Sequence, residues 1–298
     1  MGKKKKGAAQ KRPLYSNRFP ILVSYAFMRE WKQPNIDLMM ANKNCDLLID
    51  SGAFTAKTIG AVIDLDKYME FLDENKAGIF RYFALDVVGE PKKTADNLRI
   101  MRAAGFDPVP VHVLGDEQKE MDALFAETDY VGCAGLRRPG RGHCGADYLR
   151  QKMEWAQGRP VHWLGYTNKR QALRHLPYSM DSSNFNNTFI FGDVYIYRGR
   201  GQFKVYKWQT RAAMFRDPFA MKLAANLGFS HSALAKRENW LKRGSMVARL
   251  TIDSFVRYTI ELQFEKNVRH FNAAMFVGQD GCILPSIDRI YKELGIKL

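Results

Sequence analysis

Short apolar runs recur along this chain at a nearly even spacing, with amphipathic segments between them. The runs are Ile21–Tyr25, Asp46–Ile49, Tyr82–Leu85, Val109–Val113, Tyr130–Cys133, Val161–Leu164 and Tyr178–Met180. Each is too short for a helix and apolar on both faces, as expected of strands buried from both sides. Leu65–Glu74, Thr94–Ala104 and Ala146–Ala156 carry the helical period between them. Strand, helix, strand at this spacing predicts a parallel sheet with crossover helices. Seven runs and an eighth further on favour a (β/α)8 TIM barrel. An open dinucleotide-binding sheet is the rival, but no G-x-G-x-x-G follows the first run.

The period breaks after Asp181. Phe189–Tyr197 and Phe203–Trp208 flank Arg198-Gly199-Arg200-Gly201, a hairpin signal. Helical patterns follow over Ala212–Leu227, Ser232–Leu241 and Met246–Phe264, then an apolar run, Phe271–Phe276, and a closing helix, Ile287–Leu294. With Phe271–Phe276 as strand eight, residues 185–268 are an insertion between strands seven and eight. The alternative makes Val194–Tyr197 the eighth strand. Residues 1–18 are basic and lack an apolar period, which predicts a mobile arm before a domain over 19–298.

Polar residues stand where the runs end. They are Asp50-Ser51-Gly52-Ala53-Phe54-Thr55, Asp86, His112, Gly132-Cys133-Ala134-Gly135-Leu136, His162-Trp163-Leu164-Gly165 and Ser179-Met180-Asp181. In a barrel these ends share one rim, where active sites of the fold lie. One such Asp is ordinarily a helix cap or a turn residue. Three in register are costly to desolvate unless paired or used.

The 298 residues carry 46 Lys and Arg against 31 Asp and Glu, a net charge of +15. Without Lys3–Lys6 the remainder is still about +11, which favours a polyanionic partner over an acidic or neutral one. Arg137, Arg138 and Arg141 follow the fifth run. Arg198, Arg200, Lys204 and Lys207 stand in the hairpin among Tyr197, Phe203, Tyr206 and Trp208. Basic residues interleaved with aromatics suit a surface that tracks an unpaired strand, and a solvated charged face is the plainer explanation. No apolar run of 18 residues predicts a membrane span, and no charged start followed by an apolar stretch reads as a signal peptide. Four cysteines without C-x-x-C spacing predict reduced thiols in a cytoplasm and no zinc site.

Asp50-Ser51-Gly52-Ala53-Phe54 resembles the D-S-G-G-[FY]-Q motif of the tRNA-guanine transglycosylase superfamily. Gly135-Leu136 resembles its G-G-L segment and His162–Gly165 its L-M-G segment, while Asp181 falls where the family carries its nucleophile. The combination is most similar to the phage 7-deazaguanine DNA transglycosylases, over residues 20–185. The resemblance implies exchange of guanine in DNA for a 7-deazaguanine base through a covalent Asp181–sugar intermediate, with Asp50 as the acid and base. It needs no cofactor, and its setting is the cytoplasm, that of the host if the gene is a phage's.

Base selection follows from hydrogen-bond chemistry. Guanine presents two donors on its Watson–Crick edge, and a carboxylate accepts both, which assigns Asp86. The resemblance adds Ser51, a backbone N–H near Gly135 for O6, His112 as a further donor, and Phe54 and Leu164 as a stacking pair. The substrate is DNA that is single-stranded or has a flipped base. The chain lacks the family's C-x-C-x-x-C zinc site and its arginine-rich segment, which is Ser182-Ser183-Asn184-Phe185 here, and these departures favour DNA over tRNA. tRNA-guanine exchange is the first alternative. A metal-dependent hydrolase built on His112, His162 and the aspartates is the second, and a binding module that has lost catalysis the third.

Overall fold

The computed structural model describes residues 18–30, 33–41, 45–58, 60–136, 146–166, 169–182, 188, 191–241, 246–266, 268–273 and 284–295. It is a mixed α/β structure with an eight-stranded parallel sheet. The strands are β1 (Phe19–Ser24), β2 (Cys45–Asp50), β3 (Arg81–Tyr82), β4 (Val111–His112), β5 (Val131–Cys133), β6 (Val161–Trp163), β7 (Ser179–Ser182) and, after a two-stranded hairpin of β8 (Val194–Tyr197) and β9 (Phe203–Tyr206), β10 (Arg269–Ala273). The sheet order is β3-β2-β1-β10-β7-β6-β5-β4. A parallel bridge pairs Phe83 with Val109 and so connects the strands at the two ends of that order. Around it Val109 N–H donates to the Tyr82 carbonyl at 2.8 Å and Ala84 N–H to the Val109 carbonyl at 2.9 Å.

Alternate residues of each strand serve different cores. Leu22, Leu48, Phe83, Val109, Val111, Val113, Tyr130 and Phe271 meet on one face. Ile21, Val23, Leu47, Ile49, Val131 and Val161 meet the helices on the other. Burying a Leu, Ile or Val side chain is worth roughly 1.5–3 kcal/mol, so both faces pin the register. Helix Leu65–Asn75 starts where the Asp64 carboxylate accepts from Asp66 and Lys67 N–H, and it lays Tyr68, Phe71 and Leu72 on the sheet. Helix Gln118–Glu127 starts with a reciprocal Glu117–Glu120 capping box.

The run at Phe271 does enter the sheet, as β10 between β1 and β7. Val194–Tyr197 instead pairs antiparallel with β9, so the alternative eighth strand is not the one formed. The segment between β7 and β10 breaks into shorter helices than the pattern predicts. Arg211–Phe215 and Pro218–Asn226 replace one helix, and His231–Leu234 and Glu238–Leu241 replace another. The first break falls at Asp217-Pro218, because proline cannot continue the preceding turn.

The long helix Met246–Lys266 joins two cores. Val247 and Leu250 pack with Val194, Ile196, Met214, Leu234 and Trp240. Ile252, Phe255, Val256, Tyr258, Ile260 and Leu262 pack in the large core with the sheet and helices. Its Glu261 carboxylate accepts from Arg200 and Gly201 N–H at 3.1 and 3.0 Å, which docks the hairpin tip. Among the described residues no helix is long and apolar enough to cross a membrane.

Candidate active site

Three aspartates stand at the carboxyl ends of β2, β7 and the run after β3. Asp50 is the last residue of β2, and Gly52 N–H donates to its Oδ2 at 3.0 Å, turning the chain sharply into helix Ala53–Thr58. The turn needs glycine. Gly52 has φ +83°, and a Cβ there would meet Ala26 Cβ at 2.4 Å and Ser24 Oγ at 2.5 Å. Asp86 is held by Ser51, whose Oγ donates to its Oδ1 at 3.1 Å, and Ser51 is fully buried. Helix Pro91–Ala103 clamps the backbone on either side of Asp86. Thr94 Oγ1 accepts from Val87 N–H at 2.9 Å, and Asn97 Nδ2 donates to the Leu85 carbonyl at 3.0 Å.

Asp181 is buried, and its Oδ1 accepts from Gly165 N–H at 2.6 Å and lies 3.2 Å from His162 Nε2. The opposite ring nitrogen of His162, Nδ1, is 2.7 Å from Ser179 Oγ, which is 2.6 Å from the Tyr130 hydroxyl. With Nε2–H donating to the carboxylate, Nδ1 accepts from Ser179, and Ser179 accepts from Tyr130. This relay is buried throughout, so Asp181 keeps one orientation.

The carboxylates sense one another. Burial, with the charges of Asp86 and Asp181, pushes the Asp50 carboxyl up to about 8, against the lowering effect of the Gly52 and Ser51 amides. Burial pushes Asp86 up to about 6, offset in part by the Ser51 hydrogen bond. Near neutral pH Asp50 therefore holds a proton while Asp86 is mostly ionised. Neighbouring carboxyls with separated proton affinities are what acid–base chemistry requires.

Neither a protein-family model nor a curated protein matches the chain.

The other expected site residues divide. Gly135 has φ +74° and sits against Leu114 beyond β5. Leu164 is half-buried beyond β6, on the same sheet face as Phe83 and Tyr130, and Phe54 is exposed on the helix after Asp50. His112 is on the other face of its strand. Between Val111 and Val113, which pack with Phe83 and Tyr130, it turns toward the helices, with Nε2 3.0 Å from the Glu117 carbonyl and Nδ1 2.8 Å from Lys152 Nζ. The structure thus gives His112 no place among the aspartates. Among the described residues no group of three or more His, Cys, Asp or Glu side chains is disposed to hold a metal ion.

In the hairpin, Arg198 and Lys204 both engage the buried Asp217 carboxylate, Lys204 at 3.2 Å. Asp217 also caps helix Pro218–Asn226, so these two cations are partly committed to structure. Arg200 and Lys207 are exposed. Arg137, Arg138 and Arg141 lie outside the described residues.

Tyr130 and Ser24 complete the site beyond the polar residues singled out in the sequence, and Ser179 gains its place through His162. Ser24 is paired with Asp50 in the β1–β2 register, and its Oγ is buried with no hydrogen-bond partner among the described residues. Nothing in the sequence distinguishes it from a structural serine. The signal for Ser179 and His162 was the odd polar residue inside an apolar run.

Proposed function

We propose that this protein exchanges guanine in DNA for a 7-deazaguanine base on a (β/α)8 barrel. The parallel bridge between Phe83 and Val109, which connects the two ends of the strand order, supports closure of the sheet. The observation that carries the chemistry is the set of three fixed carboxyls at strand ends, Asp50 on Gly52 N–H, Asp86 on Ser51 and Asp181 on Gly165 N–H, with the proton affinity of Asp50 raised above that of Asp86. The Asp181 carboxylate, fixed by Gly165 N–H and His162, attacks the sugar C1′. The bond from C1′ to the guanine N9 breaks, its electron pair stays with the purine, and the Asp50 proton goes to the leaving base. The incoming base then loses a proton to the Asp50 carboxylate. Its N9 attacks C1′, and the sugar–Asp181 bond breaks. Asp86 accepts from the two donors of the guanine edge, with Ser51 fixing its orientation.

The setting is a cytoplasm, in keeping with the unbridged thiols of Cys45 and Cys133. The test is incorporation of labelled 7-cyano-7-deazaguanine, or its aminomethyl analogue, into guanine-containing DNA and, in parallel, into tRNA. Incorporation into DNA, with a protein–DNA adduct that Asp181→Ala abolishes, is the expected result. Incorporation confined to tRNA overturns the DNA substrate. Unchanged exchange by Asp181→Ala overturns the mechanism.

A further inference from the structure

Two hydroxyls beside Asp50 are already committed. Ser51 Oγ donates to Asp86 Oδ1 at 3.1 Å. Tyr68, which senses the Asp50 charge, donates to the Phe83 carbonyl at 2.9 Å. Ser24 is different. Its Oγ is buried and has no hydrogen-bond partner among the described residues. A serine between a strand and a helix ordinarily caps the helix. Ser24 stands at that position before Tyr25–Met28, with extended backbone, yet its side chain makes no capping bond. A buried hydroxyl without a partner forfeits the hydrogen bonds it had in water, so its place in the site calls for a physical reason.

The β1–β2 register sets Ser24 beside Asp50, as it sets Leu22 beside Leu48. Leu22 and Leu48 meet Phe83 and Phe271 on one face of the sheet. Two residues further on, Ser24 and Asp50 project from that same face. Neighbouring strands lie about 4.8 Å apart, so a serine hydroxyl reaches the neighbouring carboxyl by one staggered rotation of χ1. The turn after β2 presses on the same hydroxyl. A Cβ at Gly52 would lie 2.5 Å from Ser24 Oγ, and Gly52 N–H is the group that holds Asp50 Oδ2. The other titratable groups facing Asp50 are Asp86 beyond β3, Asp181 on β7 and Tyr68 on helix Leu65–Asn75. The two carboxyls oppose its ionisation, and the Tyr68 donor is committed elsewhere. That leaves Ser24 as an uncommitted donor beside Asp50.

We propose that Ser24 is a positioning residue for Asp50, idle while Asp50 holds its proton and donating to the carboxylate once that proton has gone to the leaving base. The Asp50 O–H bond breaks and the proton joins the purine. The negative charge left on Asp50 then receives the Ser24 O–H, which keeps its own proton. This hydrogen bond exists only in the ionised state. It therefore eases the departure of the proton without holding the resting acid more tightly. When the incoming base returns a proton to Asp50, the hydroxyl is released. The role in catalysis rests on the proposed exchange, whereas the placement of the hydroxyl beside Asp50 does not.

The test is the titration of Asp50, followed by carbon-13 NMR of the side-chain carboxyls in the native protein, Ser24→Ala and Ser24→Thr. The Asp50 signal is assigned by its loss in Asp50→Asn. The native midpoint should fall at about 8. Ser24→Ala removes the donor and should move the midpoint up by about 1–2 pH units, the worth of a hydrogen bond to a charged group. Ser24→Thr keeps the hydroxyl and should restore it. Asp86 should keep its own midpoint in both variants, because it titrates while Asp50 is still protonated. Urea melts at pH 6 should find Ser24→Ala no less stable than the native protein, since the hydroxyl is then idle. Exchange by Ser24→Ala should be about tenfold slower at pH 7, with its alkaline limb moved up alongside the midpoint. An unmoved midpoint in Ser24→Ala, a shift that Ser24→Thr fails to reverse, or a loss of stability at pH 6 overturns the inference. A shifted midpoint in a protein that exchanges no base overturns only the proposed function.

Discussion

At the scale of single residues, the site depends on a carboxyl that the fold holds protonated at a stability cost. Asp50 has an ordinary pKa near 4 when the chain is unfolded and about 8 when folded. The folded state therefore binds the proton more tightly, and between those values stability falls as pH rises. Asp50→Asn removes the penalty while keeping an oxygen for Gly52 N–H. It should raise stability at pH 8 and not at pH 4, as urea melts at the two pH values will show, and it should lose exchange. The exchange rate of the native protein should be bell-shaped in pH. It should fall below about 6 as Asp86 takes up a proton and above about 8 as Asp50 loses one. A flat profile from pH 5 to 9 would remove Asp50 from the mechanism. His162 touches Asp181 and the Ser179–Tyr130 relay. His162→Gln should lower kcat by roughly 10- to 100-fold with KM little changed, and single-turnover rates with saturating DNA will separate the two.

At the scale of elements, the turn after β2 couples the strand to the proposed chemistry. Gly52→Ala places a Cβ 2.4 Å from Ala26 Cβ in a left-handed backbone conformation. It should cost about 1–3 kcal/mol of stability and more than tenfold in exchange, because Asp50 and Ser51 flank the position. Thermal melting and incorporation assays will measure both, and a neutral substitution would mean that the turn does not hold Asp50. The aspartates were legible in the sequence because parallel strands all finish on one side of a sheet, so polar residues after apolar runs fall together. Which way a side chain faces was less legible. Strands buried on both sides read as continuous apolar runs, and the parity that turns His112 away from Asp86 is hidden between Val111 and Val113. The helices at 211–241 are shorter than the pattern predicts, because apolar period persists across the cap at Asp217 and across the break at residues 235–237 that divide them.

At the scale of the whole molecule, the long helix Met246–Lys266 belongs to both cores and carries an ionic network, centred on one buried carboxylate, to the C-terminal helix Leu284–Leu294. Asp253 is fully buried and accepts from Arg257 at 3.0 Å and from Arg289, and both arginines also reach Glu293. Asp253→Ala removes the inner partner of two arginines that are one-third exposed and still reach Glu293, and should cost about 1.5–3 kcal/mol. Calorimetry should show the whole protein melting earlier in one transition, since a helix shared by two cores ties their unfolding together. Two separate peaks would contradict that coupling. The sheet also has a history written into its strand order. β1 is made first and β10 almost last, yet Ile21 pairs with Asn272. On a ribosome, one side of β1 therefore waits through roughly 250 further residues, about 10–50 s of synthesis, with its backbone donors and acceptors open to any passing strand. Chaperone demand during translation is thus set by where the last strand is encoded, and a circular permutant that begins at β10 should be made with less aggregation than the natural chain.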